Sequence, residues 1–341
     1  MNTETLISKQ TKLGRRGFPT GAYFEVTYRC NARCDYCYVE QSTPELPTDD
    51  VFLILEKLNA SGILDLVLTG GEPFVRKDIL RILSKIMQLD FFRFAIMTNA
   101  IAITADHRSF LIEHKEEVNG LSVSIFSHDS AINDKIFGID GALKKALLNC
   151  EQFVRAGIPV RAKINILPDN LHTYRETVNM LTDKGIAVDP YPYMGLIPSN
   201  KHFQTPEEAI SHYKNCLSVL GEDYTTNKKS KTPGKESLCI GIHTKITVNP
   251  VGHLRPCIAF KDAFIGSILE NRPLNEIVNA SDVLKRLKSL KRSDFEQCRK
   301  CDYIECCYPC IAHVYNLDKS LKHIPAAYCE QTKCLKTFTR C

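Results

Sequence analysis

From Tyr23 to Tyr191, short apolar runs alternate with amphipathic helical stretches, and this repeat constrains the fold more than any other feature of the chain. The runs Tyr23–Thr27, Leu64–Leu68, Arg93–Met97, Leu121–Phe126, Val160–Leu167 and Ala187–Tyr191 read as strands. Helical spacing predicts Asp49–Ser61, Lys77–Leu89, Asp106–Val118, Gly141–Ala156 and Leu171–Asp183 between them. Thr48-Asp49-Asp50 reads as an N-cap, and Gly62, Gly157 and Gly185 read as helix stops. Six such units in succession imply parallel strands joined by right-handed crossovers. Six rather than eight predicts an α/β fold, a partial (β/α)6 TIM-like barrel, with its chemistry on loops at the C-terminal ends of the strands.

Chemistry-bearing residues fall where that geometry requires. Cys30, Cys34 and Cys37 follow the first strand as C-x3-C-x2-C, with Tyr36 directly before the last cysteine. Three thiols on one short loop cannot all pair as disulfides. Soft thiolates so placed converge on a metal or an iron–sulfur cluster. A structural zinc site closes with four ligands, and no Cys or His lies between Cys37 and His107 to supply a fourth. A three-cysteine cluster therefore keeps one iron open to an outside ligand. Gly70-Gly71-Glu72-Pro73 follows the second strand. Its glycines allow the backbone to approach a ligand, Pro73 fixes the turn, and Glu72 can accept from a cationic amine. Thr98-Asn99 follows the third strand, and Ser122 and Ser124 lie on the fourth.

The 15 cysteines among 341 residues are too many for ordinary packing use. A secreted disulfide scaffold would normally be short and begin with a signal peptide, and the first ten residues hold no apolar core of that kind. Metal or redox use in a reducing cytoplasm is the expectation instead. No run of eighteen apolar residues occurs, so no membrane span is expected. The net charge of +5 predicts a solvated basic surface rather than a nucleic-acid partner.

Beyond Tyr193 the pattern weakens to one amphipathic helix over 206–221, then a polar, lysine-rich stretch over 225–235 that reads as a linker. A second cysteine system follows: Cys239, Gly252, Cys257, Cys298-x2-Cys301, the adjacent Cys306 and Cys307, Cys310, Cys329 and Cys334. Taken alone, these could build a zinc ribbon or two structural metal sites in a protein without catalysis.

The cysteine loop together with Gly70–Pro73 resembles the radical SAM superfamily. The resemblance implies a four-iron four-sulfur cluster on Cys30, Cys34 and Cys37, whose open iron chelates the amino and carboxylate groups of S-adenosylmethionine. One electron then yields a 5′-deoxyadenosyl radical that abstracts hydrogen from substrate. It also implies cofactor contacts from Gly70, Gly71, Glu72, Pro73, Asn99 and Ser124. Thr98-Asn99-Ala100 resembles the family's Thr-Asn-Gly, with Ala100 in place of Gly. Lys163 and Asn165 stand at the mouth of the fifth strand, either as functional groups or as satisfied barrel-interior residues.

The C-terminal spacing resembles the SPASM extension of the same enzymes, which carries up to two auxiliary four-iron clusters, giving three clusters in all. Carried over by position, Cys239, Cys257 and Cys310 serve the first auxiliary cluster. Cys298, Cys301, Cys307 or Cys306, and Cys329 serve the second; Cys306 gives the usual last gap and Cys307, which is preferred, the usual middle one. Cys216, a late cysteine or nothing completes the first, and Cys150 reads as a small buried hydrophobe. The division is an arm over 1–21, a barrel over 22–221, a linker over 222–238 and an auxiliary domain over 239–341. The activity implied is oxidative modification of a ribosomally synthesised peptide, such as a crosslink or thioether. A tetrapyrrole or other small molecule is the alternative. Sulfatase maturation is disfavoured, because Ile258 stands where those enzymes carry an aspartate base. The implied partners are a precursor peptide and an electron donor such as flavodoxin or ferredoxin. The short lead-in has no room for a winged-helix leader domain, so leader recognition is expected from a separate protein or the barrel surface.

Overall fold

A computed structural model describes residues 10, 12–14, 16–37, 39, 44–193, 195, 202–229, 238–304, 307 and 309–338. Cys306, Cys341 and residues 230–235 of the lysine-rich stretch lie outside them. The six expected strands are β1 (Gly21–Glu25), β2 (Asp65–Thr69), β3 (Arg93–Thr98), β4 (Gly120–Ser124), β5 (Val160–Ile166) and β6 (Ala187–Pro192). They run parallel and lie side by side in sequence order, each joined to the next by a helical crossover. The crossovers contain α1 (Thr48–Ala60), α2 (Ile79–Met87), α3 (Ala105–Glu113), α4 (Ser130–Phe137), α5 (Ala142–Arg155) and α6 (Tyr174–Asp183).

Strand alternation decides which side chains face the helices and which face the barrel mouth. On β5, Ala162, Ile164 and Ile166 are buried in the core, while Lys163 and Asn165 between them are only partly covered. Leu66 and Leu68, Phe94 and Ile96, and Leu121 and Val123 repeat the inward set against the helices. Gly62, Gly157 and Gly185 end α1, α5 and α6 in left-handed conformations, as expected of helix stops.

The structure corrects several expectations. Thr48 is the first residue of α1 rather than its cap, and its hydroxyl donates to Asp78 Oδ2 at 2.7 Å. Helix α4 has no counterpart in the sequence reading, since eight residues give too few turns for a periodic signal. Helix α7 (Pro206–Lys229) continues past the expected end at 221, with its backbone broken at Gly221, so residues 222–229 are helical rather than linker.

The sheet also crosses the expected boundary at 238. Strand β7 (Lys245–Val248) pairs in parallel with the free side of β1, and β8 (His253–Arg255) and β9 (Gly266–Ser267) extend the sheet antiparallel. Helices α8 (Leu274–Ala280), α9 (Asp282–Ser289), α10 (Ile311–Leu317) and α11 (Ala326–Phe338) follow. Phe260, Phe295, Ile311, Val314, Ile324 and Tyr328 form a second, smaller core there. Cys334 packs with Tyr213 and Leu217 where α11 lies along α7. Among the described residues, no helix is long and apolar enough to cross a membrane.

Candidate active site

The cysteine loop is seated on the end of β2 by backbone hydrogen bonds. Gly71 N donates to Thr27 O at 2.7 Å, and Glu72 N donates to Arg29 O at 3.0 Å. A Cβ on Gly70 would stand 2.2 Å from Thr27 O, and one on Gly71 would stand 2.4 Å from Arg29 O. Gly70 also has φ near +146°, which side-chain-bearing residues rarely adopt. The paired glycines therefore admit the cysteine loop first, and their backbone then borders the space a ligand would fill. Arg76, buried just beyond, donates from Nη1 to Val26 O at 2.7 Å and braces the start of the loop from below.

Within the loop, Cys37 N donates to Cys34 O at 3.1 Å, and Ala32 N points at Cys30 Sγ at 3.4 Å. Tyr36 packs edge-on against Phe126, with ring centroids 5.3 Å apart, so the aromatic before the last cysteine anchors the loop to the barrel. Burial pushes the Cys30 thiol up to about 11 and the Cys34 thiol up to about 12. Cys37 rises for the same reason, opposed in part by the nearby Lys261 ammonium. Such a site favours neutral thiols unless a metal centre replaces their protons.

Glu72 is fully buried. Oε1 accepts from Phe74 N at 3.1 Å and Oε2 from Asn99 N at 2.7 Å, while the Thr98 hydroxyl lies 2.8 and 2.9 Å from the two oxygens. Burial, only partly offset by those donors, raises its carboxyl to about 7. The sequence reading gave this carboxylate to a cofactor amine. The structure places it behind the cavity wall, tying the end of β2 to the end of β3. Asn99, which it positions, extends Nδ2 to Asn31 Oδ1 at 2.7 Å and toward Cys30 Sγ at 3.8 Å. Ala100 follows with φ +58°, the left-handed conformation in which glycine would be unstrained.

These elements border a cavity of about 400 Å³, within the range of small-molecule sites. Its barrel side carries Cys30, Cys34, Cys37, Gly70, Gly71, Thr98, Asn99, Ser124, Lys163 and Asn165. Glu72 and Pro73 are buried and are not among its lining residues. The opposite wall comes from the C-terminal region: Ile258, Ala259 and Lys261 after Cys257, and His313 and Asn316 on α10. Sequence reasoning missed Lys261, His313 and Asn316, because nothing in their local pattern shows that α10 folds back over the barrel mouth.

The remaining cysteines fall into two neighbourhoods. Cys239 and Cys310 raise the pKa of Cys257 by their charge, and burial is the larger cause of its rise to about 12. Cys298, Cys301, Cys307 and Cys329 border a second cavity with Leu238, Phe295 and Ile324. Cys307, Cys329 and Cys301 each raise the Cys298 pKa electrostatically, after burial. Cys216 stands elsewhere, in the barrel core, with Sγ 3.3 Å from His212 Nε2, and Cys150 is a core residue of α5. Among the described residues, no three of His, Cys, Asp or Glu converge closely enough to hold a single metal ion.

Comparison with known proteins agrees with this geometry. Residues 24–181 match the radical SAM superfamily, and residues 239–302 match an iron–sulfur cluster-binding domain, SPASM. The antilisterial bacteriocin subtilosin biosynthesis protein AlbA of Bacillus subtilis is 23% identical over 88% of this chain and 69% of its own length. An AdoMet-dependent heme synthase of Methanosarcina barkeri is 24% identical over 86% of this chain and 91% of its own. Streptococcus suis SuiB, solved bound to the precursor peptide SuiA, superposes with a TM-score of 0.71 at 18% identity, covering 94% of this chain and 79% of SuiB. The two matched domains imply four-iron four-sulfur clusters and S-adenosylmethionine as cofactors. With the thiol loop, the glycine-bordered cavity and both domain matches in place, the chain belongs to the radical SAM superfamily as an enzyme with a C-terminal SPASM domain.

Proposed function

We propose that this enzyme oxidatively modifies a ribosomally synthesised peptide, forming a crosslink, a thioether or a related bond. The observation that carries the reading is the single cavity shared by the cysteine loop of the barrel and the auxiliary wall of Ile258, Ala259 and Lys261. A substrate lying there touches both regions at once. AlbA takes part in making a bacteriocin, and SuiB is solved with a precursor peptide, which supports a peptide in this chain's cavity.

Cys30, Cys34 and Cys37 would hold the cluster, which together with S-adenosylmethionine would supply radical chemistry for hydrogen abstraction from substrate. The protein's own part is positional. The Gly70–Gly71 backbone, Asn99 and Ser124 border the cofactor space, while Glu72 and Pro73 hold that border in place from behind. Cys239, Cys257 and Cys310 serve one auxiliary cluster, and Cys298, Cys301, Cys307 and Cys329 serve another, for three in all. An electron donor such as flavodoxin or ferredoxin, a separate leader-binding protein and a cytoplasmic setting complete the proposal.

Anaerobic reconstitution tests the cluster count: three four-iron clusters require about 12 irons per chain with matching sulfide. Incubation with short peptides encoded beside the gene, followed by mass spectrometry, tests the substrate class. Loss of hydrogens or of carbon dioxide from such a peptide supports the reading. The heme synthase relative favours a second reading, in which a tetrapyrrole takes the peptide's place. Turnover of a porphyrin substrate with every peptide left unchanged would establish that one instead.

A further inference from the structure

Two features of the shared cavity bear on what it binds beside the thiol loop. The first is its charge. Among the described residues, Lys163 on β5 and Lys261 beyond Cys257 are the two ammonium groups lining it, and no Asp or Glu does so. Neither lysine has a carboxylate partner among the described residues. The acid next to Lys261, Asp262, is paired with Lys319.

The second is how firmly the Lys261 segment is held. Asn316 on α10 donates from Nδ2 to Ala259 O at 2.8 Å, and its Oδ1 accepts from Lys261 N at 3.2 Å. Phe260 between them is fully buried, packs edge-on against Tyr315 at 5.5 Å, and gives its carbonyl to Arg255 Nη1. Its N–H returns to Cys257 O at 3.2 Å. Three consecutive residues are thus anchored by main chain or by burial, and the lysine carried on them lines the cavity. The backbone that carries this cation therefore has little freedom left to lose on meeting a ligand, which favours selective binding of an anion.

We propose that Lys261 reads the substrate by taking a carboxylate, the side chain of an acidic residue close to the modified position. This rests on the peptide reading above and narrows it to peptides with Asp or Glu at that place. The two lysines stand on opposite walls. Lys163 pairs in register with Ser124, within the barrel border assigned to the cofactor, whereas Lys261 belongs to the auxiliary wall. The carboxylate could be the cofactor's own or the substrate's, and separate measurements tell them apart.

The test uses reconstituted holoenzyme with S-adenosylmethionine and no reductant, so that nothing turns over. The probes are the end-capped pentapeptide Ala-Gly-Glu-Gly-Ala, its Gln counterpart, and free glutarate, with binding followed by saturation-transfer NMR. Wild type is expected to bind the Glu peptide about ten- to a hundred-fold more tightly than the Gln peptide, the usual value of a charge-assisted contact. Lys261→Met should bind both alike, K261R should restore the preference, and all three proteins should bind S-adenosylmethionine equally. Circular dichroism confirms that the variants are folded. A Glu preference that survives in Lys261→Met, equal binding of the two peptides by wild type, or no binding of any probe at millimolar concentration overturns the proposal. So does a loss confined to S-adenosylmethionine affinity, which would assign the lysine to the cofactor. Lys261-dependent binding of glutarate with neither peptide bound would keep the carboxylate site and sink the peptide reading.

Discussion

Arg255 on β8 forms an ion pair with Glu25 at the end of β1, and both side chains are closed off from solvent, at 2% and 1% exposure. Tyr28, on the way to the cysteine loop, donates its hydroxyl to the same carboxylate at 2.8 Å. Arg255 lies two residues before Cys257, so one buried contact links the segment that carries the barrel cysteines to the segment that carries an auxiliary one. Burial raises the Glu25 pKa against the opposing pull of Arg255. The pair is costly to assemble, and costlier still to half-dismantle.

Arg255→Met leaves an unpaired buried carboxylate and should therefore destabilise the fold by about 3–5 kcal/mol. Glu25→Gln combined with Arg255→Met removes both charges and should recover part of that loss, the remainder belonging to the Phe260 carbonyl that Arg255 also serves. Chemical denaturation of the two variants checks this. A double variant no more stable than the single one would show that the pair is not the source of the effect.

Glu72→Gln places an amide where the carboxylate accepts from Asn99 N, Thr98 and Phe74 N. At least one buried donor loses its partner, at about 1–3 kcal/mol. Cofactor affinity should fall because Asn99 and Gly71 move, although the carboxylate itself does not line the cavity. The pH dependence has a definite sign. The folded carboxyl titrates near 7, above the ordinary value of 4.5. Its contribution to stability is therefore complete below about 4.5, falls as pH rises between the two values, and is flat above. Apo-protein melting from acid to neutral pH should show this decline in wild type and a shallower one in Glu72→Gln. Identical profiles would remove Glu72 as its source.

Ala100 holds a left-handed conformation that costs a residue with a Cβ about 1–2 kcal/mol. Ala100→Gly should leave the melting temperature unchanged or raise it, since strain relief offsets the lost buried methyl. Ala100→Val should lower it, because a β-branched residue fits that conformation least. A stable valine variant would mean that the turn after Asn99 rearranges freely.

Cys298→Ala with Cys301→Ala removes two of the four thiols that, among the described residues, border the second cavity. If they hold an auxiliary cluster, iron should drop from about 12 to about 8 per chain. The variant should still release 5′-deoxyadenosine under chemical reduction, because the cysteine loop lies on the barrel. Finished product should be lost. Proteolysis must accompany the assay, since metal sites can hold small domains together. Normal product from a well-folded variant would show that this cluster is dispensable.

The sequence by itself determined the barrel and the chemistry placed at its mouth. Strand and helix periods are local, and they put Cys30, Cys34, Cys37, Gly70, Gly71, Asn99 and Ser124 at the ends of successive strands, with Lys163 and Asn165 on the cavity side of β5. The resemblance to the SPASM extension supplied the grouping of the late cysteines; in the structure Cys329 lies beside Cys298 while Cys334 packs against α7. Tertiary structure alone decided the rest. That the glycines admit the cysteine loop, that Glu72 faces inward, and that β7 joins β1 depend on contacts between segments tens to hundreds of residues apart. The Lys261 wall is of the same kind: it exists only because Asn316, Phe260 and Arg255 fix a short irregular loop over the barrel, and no period in the chain records that folding-back.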